Sequence, residues 1–359
     1  MNARAVPLRG QIALADMDHC RAAIRTGSLS FHAASRLLPP AVRDPALALY
    51  AFCRLADDAV DEGDHKIRAV LDLRDRLDLA YRGIPRNAPE DRCFAHLIAA
   101  YDMPRVLPEA LLEGFAWDAA GRTYDSLSGV LDYSARVAAA VGAMMCVLMR
   151  VRDADALARA CDLGLAMQLT NIARDVGEDA RAGRVYLPLD WLREAGIDPA
   201  VFLADPRPDP RVAGLVRRLL AQADRLYQRS EAGVPALPVA CRPGIYAARH
   251  IYAGIGGAVA RIGFDSVQHR AHTGRARKLG WLGLSVLRSG VSLALPRVAT
   301  LHARPEPEVA FLVDAAARAR VRSGRSDALL SVLAQLEAQD RAGRRVDDMT
   351  GVGSGPRLT

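Results

Sequence analysis

Apolar side chains recur every three to four residues from about position 16 almost to the C-terminus, and only proline- and glycine-containing segments interrupt them. That period lets an α-helix bury one face, whereas a half-buried strand needs alternation at every second residue. The pattern predicts an all-α fold, and no strand hairpin or internal repeat competes with it. Ala, Leu, Arg and Asp are abundant while β-branched and aromatic runs are scarce. Ala, Leu and Arg lose little freedom in a helix, so composition points the same way.

The breakers set the expected boundaries. Helices are predicted at about 16–26, 44–62, 109–120, 128–150, 154–180, 211–232, 236–264, 270–293 and 307–340, with one more ending before Gly83 and a short one near Trp191. The segment Asp205-Pro-Arg-Pro-Asp-Pro210 is the sharpest break. A chain of 359 residues buries a large core without disulfides or structural metals. The expectation is a single-domain helical bundle around a central cavity over residues 1–295, a helical extension over 296–340, and a Gly- and Arg-rich tail over 341–359 with too little to bury to fold.

The net charge of +7 suits anionic partners: phosphates, nucleic acid or acidic lipid head groups. Zinc-ligand spacing, basic strands interleaved with aromatics and long Lys/Arg blocks are all lacking, so nucleic acid is not an expected partner. The six cysteines are scattered, with no CxxC pair, and several have apolar neighbours. The N-terminal region has arginines but lacks the apolar stretch of a signal peptide. A reducing, cytoplasmic location is expected.

Two acidic clusters carry the chemistry. In the first, Tyr50, Arg54, Asp57 and Asp61 fall at i, i+4, i+7 and i+11, on one helical stripe. Asp57 and Asp61 are one turn apart, about 6 Å along the axis. Alone they could be no more than a solvated helix face. In the second, Gln168, Asn171, Asp175 and Asp179 stand at i, i+3, i+7 and i+11 and continue an apolar stripe that begins near position 162. That spacing points polar groups inward, and buried carboxylates need cations or hydrogen-bond donors. Carboxylate and amide oxygens suit Mg²⁺ or Mn²⁺ rather than zinc. If the two helices face each other, four carboxylates meet at one cavity mouth, where metal ions and a diphosphate would balance the charge. Arg54 and Arg174 flank them, placed either to hold phosphate oxygens or to make plain ion pairs with aspartate.

Asp57-Asp-Ala-Val-Asp61, the run from Gln168 to Asp179 and the following Arg184-Val-Tyr-Leu-Pro188 resemble the squalene/phytoene synthase family, and within it the bacterial phytoene synthases. The resemblance covers roughly residues 14–295. It implies an isoprenoid-synthase-type bundle, magnesium ions and two prenyl diphosphates. It implies metal-binding roles for Asp57, Asp61, Asn171, Asp175 and Asp179, the four aspartates being catalytic. It implies substrate contacts for Tyr50, Arg54, Gln168, Arg174 and Tyr252, with Ser28 and Ser30 as phosphate contacts. The implied reaction is head-to-head condensation of two geranylgeranyl diphosphates to 15-cis-phytoene through prephytoene diphosphate; the alternative is a C15 version using farnesyl diphosphate. Relatives often carry a tyrosine where this chain has Ala135, and Tyr133 is expected to point elsewhere on the helix. They also commonly show paired arginines where this chain has His269-Arg270.

Small side chains along 137–145 would leave room for a prenyl tail, although close helix packing explains them as simply. Arg275, Arg277 and Lys278 precede an apolar run to Leu295 that is too short to span a bilayer; a packed core helix is the simpler reading and a peripheral membrane contact at the inner face of the cell membrane the other. No GxGxxG follows a strand, so no nucleotide cofactor is expected.

Overall fold

The computed structural model describes residues 12–61, 66–294 and 298–318, and these fall into one compact unit. Among them the regular structure is helical, without a strand. The order is α1 (Leu14–Gly27), α2 (Leu29–Ser35), α3 (Pro40–Asp61), α4 (Lys66–Tyr81), α5 (Pro89–Tyr101), α6 (Val106–Ala119), α7 (Leu127–Ser134) and α8 (Ala140–Leu148). Then follow α9 (Ala154–Arg181), α10 (Leu189–Glu194), α11 (Pro199–Ala204), α12 (Pro210–Glu231), α13 (Arg242–Arg261), α14 (Arg275–Val291) and α15 (Ala310–Ala317).

Local chemistry explains most starts. Asp153 caps α9 by accepting from the Ala156 N–H at 2.9 Å, Asp209 caps α12 through the Arg211 N–H at 2.7 Å, and Ser28 caps α2 through the Phe31 N–H at 3.2 Å. Proline occupies the first turn of α5, α11 and α12, where its missing N–H costs no bond. The same reason places the start of α3 at Pro40, earlier than the expected 44: the Val42 and Arg43 N–H groups both reach the Pro39 carbonyl. The helix expected from 236 begins at Arg242, because Pro235 and Pro238 break the preceding residues into 3₁₀ turns, and Pro243 sits in the first helical turn where its missing N–H costs no bond. The helix expected over 128–150 is divided: Ala135–Ala139 between α7 and α8 is π-helical.

The 28-residue α9 is the central strut, with α12, α13, α8, the π-helical segment and α15 packed around it. Its crossing with α7–α8 is close because it is glycine against backbone: a Cβ on Gly164 would lie 2.6 Å from the Ala139 Cα, and one on Gly142 would lie 2.8 Å from the Ala160 carbonyl oxygen. Helix packing therefore accounts for Ala139 and Gly142 of the small-residue stripe. The C-terminal part of the described chain is held to α9 by Arg159. This fully buried side chain pairs with Asp162 at 2.7 Å and donates to the carbonyls of Thr300 (2.7 Å) and Ala303 (3.0 Å). Arg229 reaches the same Asp162 at 3.1 Å, so the buried carboxylate has two cations beside it. Of the helix expected over 307–340, Pro307–Val309 is a 3₁₀ turn and Ala310–Ala317 is α-helical; the rest, and the tail from 341, lie outside the described residues.

Candidate active site

A cavity of about 930 Å³ runs through the bundle, walled by α2, α3, α6, α8, α9, α13 and the π-helical segment. Its lining changes character along α9. Ala156, Ala160, Leu163, Gly164 and Met167 come first, with Val137, Ala138, Val141 and Met145; Arg159 also borders this stretch, its guanidinium neutralised by the buried Asp162. Gln168, Asn171, Arg174 and Asp175 follow, facing Ser28, Ser30, Tyr50, Arg54, Tyr252 and Arg270. From Ala156 to Asp175 the helix rises about 29 Å. One long space thus has an apolar end and a charged end.

The cavity adjoins a smaller one of about 160 Å³, also lined by Gln168, Asn171 and Asp175, to which Asp179, Arg184 and Tyr186 are added. The four polar residues read from the second cluster therefore lie along one face, as their spacing predicts. Burial first, and then the neighbouring Asp175, pushes the Asp179 carboxyl up to about 7. Asp175 is better compensated: Arg174 grips it through two contacts at 2.7 and 2.5 Å, and Arg270 reaches it at 2.9 Å while also pairing with Glu178 at 3.2 Å.

The loop bearing Arg270 is seated directly on the acidic motif. The Gly177 N–H donates to the Ser266 carbonyl at 2.9 Å, and a Cβ at Gly177 would lie 2.1 Å from the Val267 carbonyl oxygen.

On the opposite wall, Tyr50, Cys53 and Arg54 of α3 line the cavity. Asp57 and Asp61 lie one and two turns further along the same helix; their side chains are outside the described residues. Arg54 pairs with Asp58 at 2.5 Å, and Arg174 with Asp175, so each arginine makes an aspartate ion pair while lining the cavity. Phe31 stacks on Tyr50 with ring centroids 5.6 Å apart. Burial raises the Tyr252 hydroxyl above its ordinary value, opposed by a nearby Arg174 and a hydrogen bond with Ser28. All seven sequence-predicted substrate contacts line this one cavity.

Three residues escaped the sequence reading. Asp118, near the end of α6, accepts a hydrogen bond from the Tyr133 hydroxyl at 2.9 Å and another from the Tyr186 hydroxyl at 2.8 Å. The two rings stack at 5.1 Å, and all three side chains line the smaller cavity, Asp118 and Tyr133 also the larger. The expectation that Tyr133 points elsewhere is thus corrected. Tyr186 lies within the quoted Arg184–Pro188 run and could have been found there; a lone Asp near a helix end gives no signal for Asp118.

Residues 24–277 match the family model described as squalene/phytoene synthase. The chain belongs to the squalene/phytoene synthase family. It is 70% identical over 340 residues to a phytoene synthase of Cereibacter sphaeroides, covering 92% of this chain and 96% of that one. It is 62% identical over 333 residues to a phytoene synthase of Rhodobacter capsulatus, covering 92% and 98%. Among solved structures, a dehydrosqualene synthase in complex with ligand superposes with a TM-score of 0.72 at 29% identity, over 77% of this chain and 97% of that one. This squalene/phytoene synthase family member has the isoprenoid-synthase fold and is a prenyltransferase.

Proposed function

We propose that two molecules of geranylgeranyl diphosphate bind in the large cavity, diphosphates at the charged end and prenyl chains along the apolar half of α9. The activity is 15-cis-phytoene synthesis, and the phytoene synthases at 70% and 62% identity favour it over the C15 alternative. The observation that carries the substrate reading is the single cavity whose wall passes from aliphatic to ionic along one helix.

The donor set fits a hard divalent cation. Asn171, Asp175 and Asp179 offer only oxygen, and Arg184 beside Asp179 offsets only part of the burial and of the Asp175 charge that push its carboxyl up to about 7. These three, with Asp57 and Asp61, would hold Mg²⁺ or Mn²⁺. Such ions, when bound, neutralise the diphosphate as it departs. Ser28, Ser30, Arg54 and Arg174 bind phosphate oxygens, the guanidinium groups offering paired N–H donors. Gln168, Tyr50 and Tyr252 position the allylic carbons beneath them.

The reaction balances without a redox partner. One diphosphate leaves as an anion and its allylic cation is attacked by the double bond of the second molecule; loss of a proton gives the cyclopropyl compound prephytoene diphosphate. The second diphosphate leaves, the ring opens by rearrangement, and a second proton is lost to give phytoene. No hydride donor enters, so no nucleotide cofactor is required. The aliphatic walls from Val137, Val141, Met145, Leu163 and Met167 keep water from the cations. The enzyme works in the cytoplasm, where unpaired cysteines persist, with peripheral contact to the inner face of the membrane.

Incubating the purified protein and Mg²⁺ with either geranylgeranyl or farnesyl diphosphate, followed by identification of the hydrocarbon, is the direct test. Phytoene from the C20 substrate is expected. Hydrocarbon from the C15 substrate alone overturns the reading.

A further inference from the structure

Helix α14 is built inside out. Its inward stripe carries serines: Ser285, Ser289 and Ser292, just beyond its end, are all buried. They are accommodated by specific hydrogen bonds. Ser285 donates to the Trp281 carbonyl at 2.6 Å and pairs with His250 Nδ1 of α13 at 2.9 Å, and Ser292 accepts from Arg242 at 3.2 Å. Trp281 supplies the apolar seat, lying against Gly254, where a Cβ would come within 2.1 Å of its ring. The large aliphatic side chains face the other way: Leu279, Leu287 and Leu293 are 68%, 65% and 62% exposed, and Leu284, Val286 and Val291 are exposed with them. An ordinary surface helix has the reverse arrangement. The reading of this segment as a simple packed core helix is therefore corrected: one side packs, and the other is an aliphatic strip of the kind that marks an interaction site.

Charge indicates what covers the strip. Arg275, Arg277 and Lys278 form the first turn and Arg288 lies further along, while the helix contains no Asp or Glu. Basic residues on a helix whose outward side is mostly Leu, Val and Gly suit the interface of a bilayer with anionic lipids, aliphatic chains below and phosphate above. A second copy pairing through α14 would bring no acidic residue of that helix to meet these cations. The position fits as well. Trp281 and Leu282 pack on Ala34 of α2 and on Ala247 and Ile251 of α13, and the inner sides of those two helices line the cavity through Ala34, Ala248, Tyr252 and Ile255.

We propose that α14 is the membrane-docking element of this protein, lying in the plane of an anionic lipid surface with Leu279, Leu284, Leu287 and Leu293 immersed. Docking there leaves α14 as the layer between the lipid and the α2–α13 wall of the cavity. This deepens the peripheral-membrane reading above and does not depend on the substrate assignment.

The test is co-sedimentation of the full chain with vesicles of phosphatidylcholine alone and of phosphatidylcholine with phosphatidylglycerol. Binding to the anionic vesicles is expected, weakening as salt rises. L284E/L287E should bind at least tenfold more weakly, and R275Q/R277Q/K278Q should lose the preference for anionic lipid. Both variants should keep the circular-dichroism melting curve. L284E/L287E should keep turnover of detergent-dispersed geranylgeranyl diphosphate, so loss of docking is read separately from loss of chemistry. The proposal is overturned if the wild type does not bind, or if L284E/L287E binds as well as the wild type. It is equally overturned if light scattering shows a dimer that this substitution converts to a monomer without any vesicle binding.

Discussion

Helices α9 and α14 both depart from the rule that apolar residues face inward, and they do so in opposite senses. Over its second half, α9 turns Gln168, Asn171, Asp175 and Asp179 towards cavities inside the bundle, and Asp179 is left poorly compensated. Along its outer side, α14 turns Leu279, Leu284 and Leu287 to the exterior and keeps serines within. Neither arrangement helps the isolated fold. A buried carboxyl only partly offset by a cation costs stability, and an exposed leucine gains little from folding. On the function and the docking proposed above, each would instead store affinity for something that is not protein: a cation with its phosphate at α9, lipid at α14.

The comparison is sharpest at the acidic end of α9. Asp179→Asn should lower kcat/KM for phytoene formation by about 10²–10³-fold, the size expected when one preorganised charge contact to a transition state is lost. A melt without divalent ions should show the variant at least as stable as the wild type at pH 8. Equal activity in the variant would break the idea that this face of α9 exists for catalysis.

Next in size is the response to pH without divalent ions. The folded Asp179 carboxyl titrates near 7, whereas the unfolded one titrates near 3.8. The folded state therefore holds its proton more tightly, and its stability is undiminished below about 4 and falls as pH rises from about 4 to about 7. The loss is at most about 4 kcal/mol from this group. Urea unfolding across that window should show it, and Asp179→Asn should remove that contribution.

Leucine truncations set the two helices side by side. Leu165 in α9 is fully buried, and Leu165→Ala should cost about 2–5 kcal/mol. Leu287 in α14 is 65% exposed, and Leu287→Ala should change stability in solution by less than about 0.5 kcal/mol. A large loss at Leu287 would mean that the outer strip of α14 is packed against protein after all.

The sequence made α9 almost fully legible. Its expected bounds of 154–180 differ from Ala154–Arg181 by one residue, and the i, i+3, i+7, i+11 spacing placed its polar face. A face of one helix is local information. What stayed hidden depended on pairs of elements. The Asp118 carboxylate matters because Tyr133 and Tyr186, on other parts of the chain, both donate to it. Tyr133 was further obscured by the π-helical Ala135–Ala139. Each residue of an α-helix turns by about 100°, so a segment wound with an i→i+5 pattern shifts the phase of everything before it relative to everything after. Faces drawn on an uninterrupted helix over 128–150 are therefore wrong on one side of that segment. For α14 the periodicity was plain but its sign was not, because a helical stripe of Leu and Val carries no label saying which side meets the protein.

The contact at Gly177 links two parts of the sequence some ninety residues apart. Because the carbonyl of Val267 occupies the space of its missing side chain, this position between Asp175 and Asp179 works as a keyway into which the 264–272 loop slots. Even a methyl group there would act as a wedge, prising the loop away and carrying Arg270 off its aspartate. The acidic motif and the basic loop are thus one machined joint, closed by backbone on both sides.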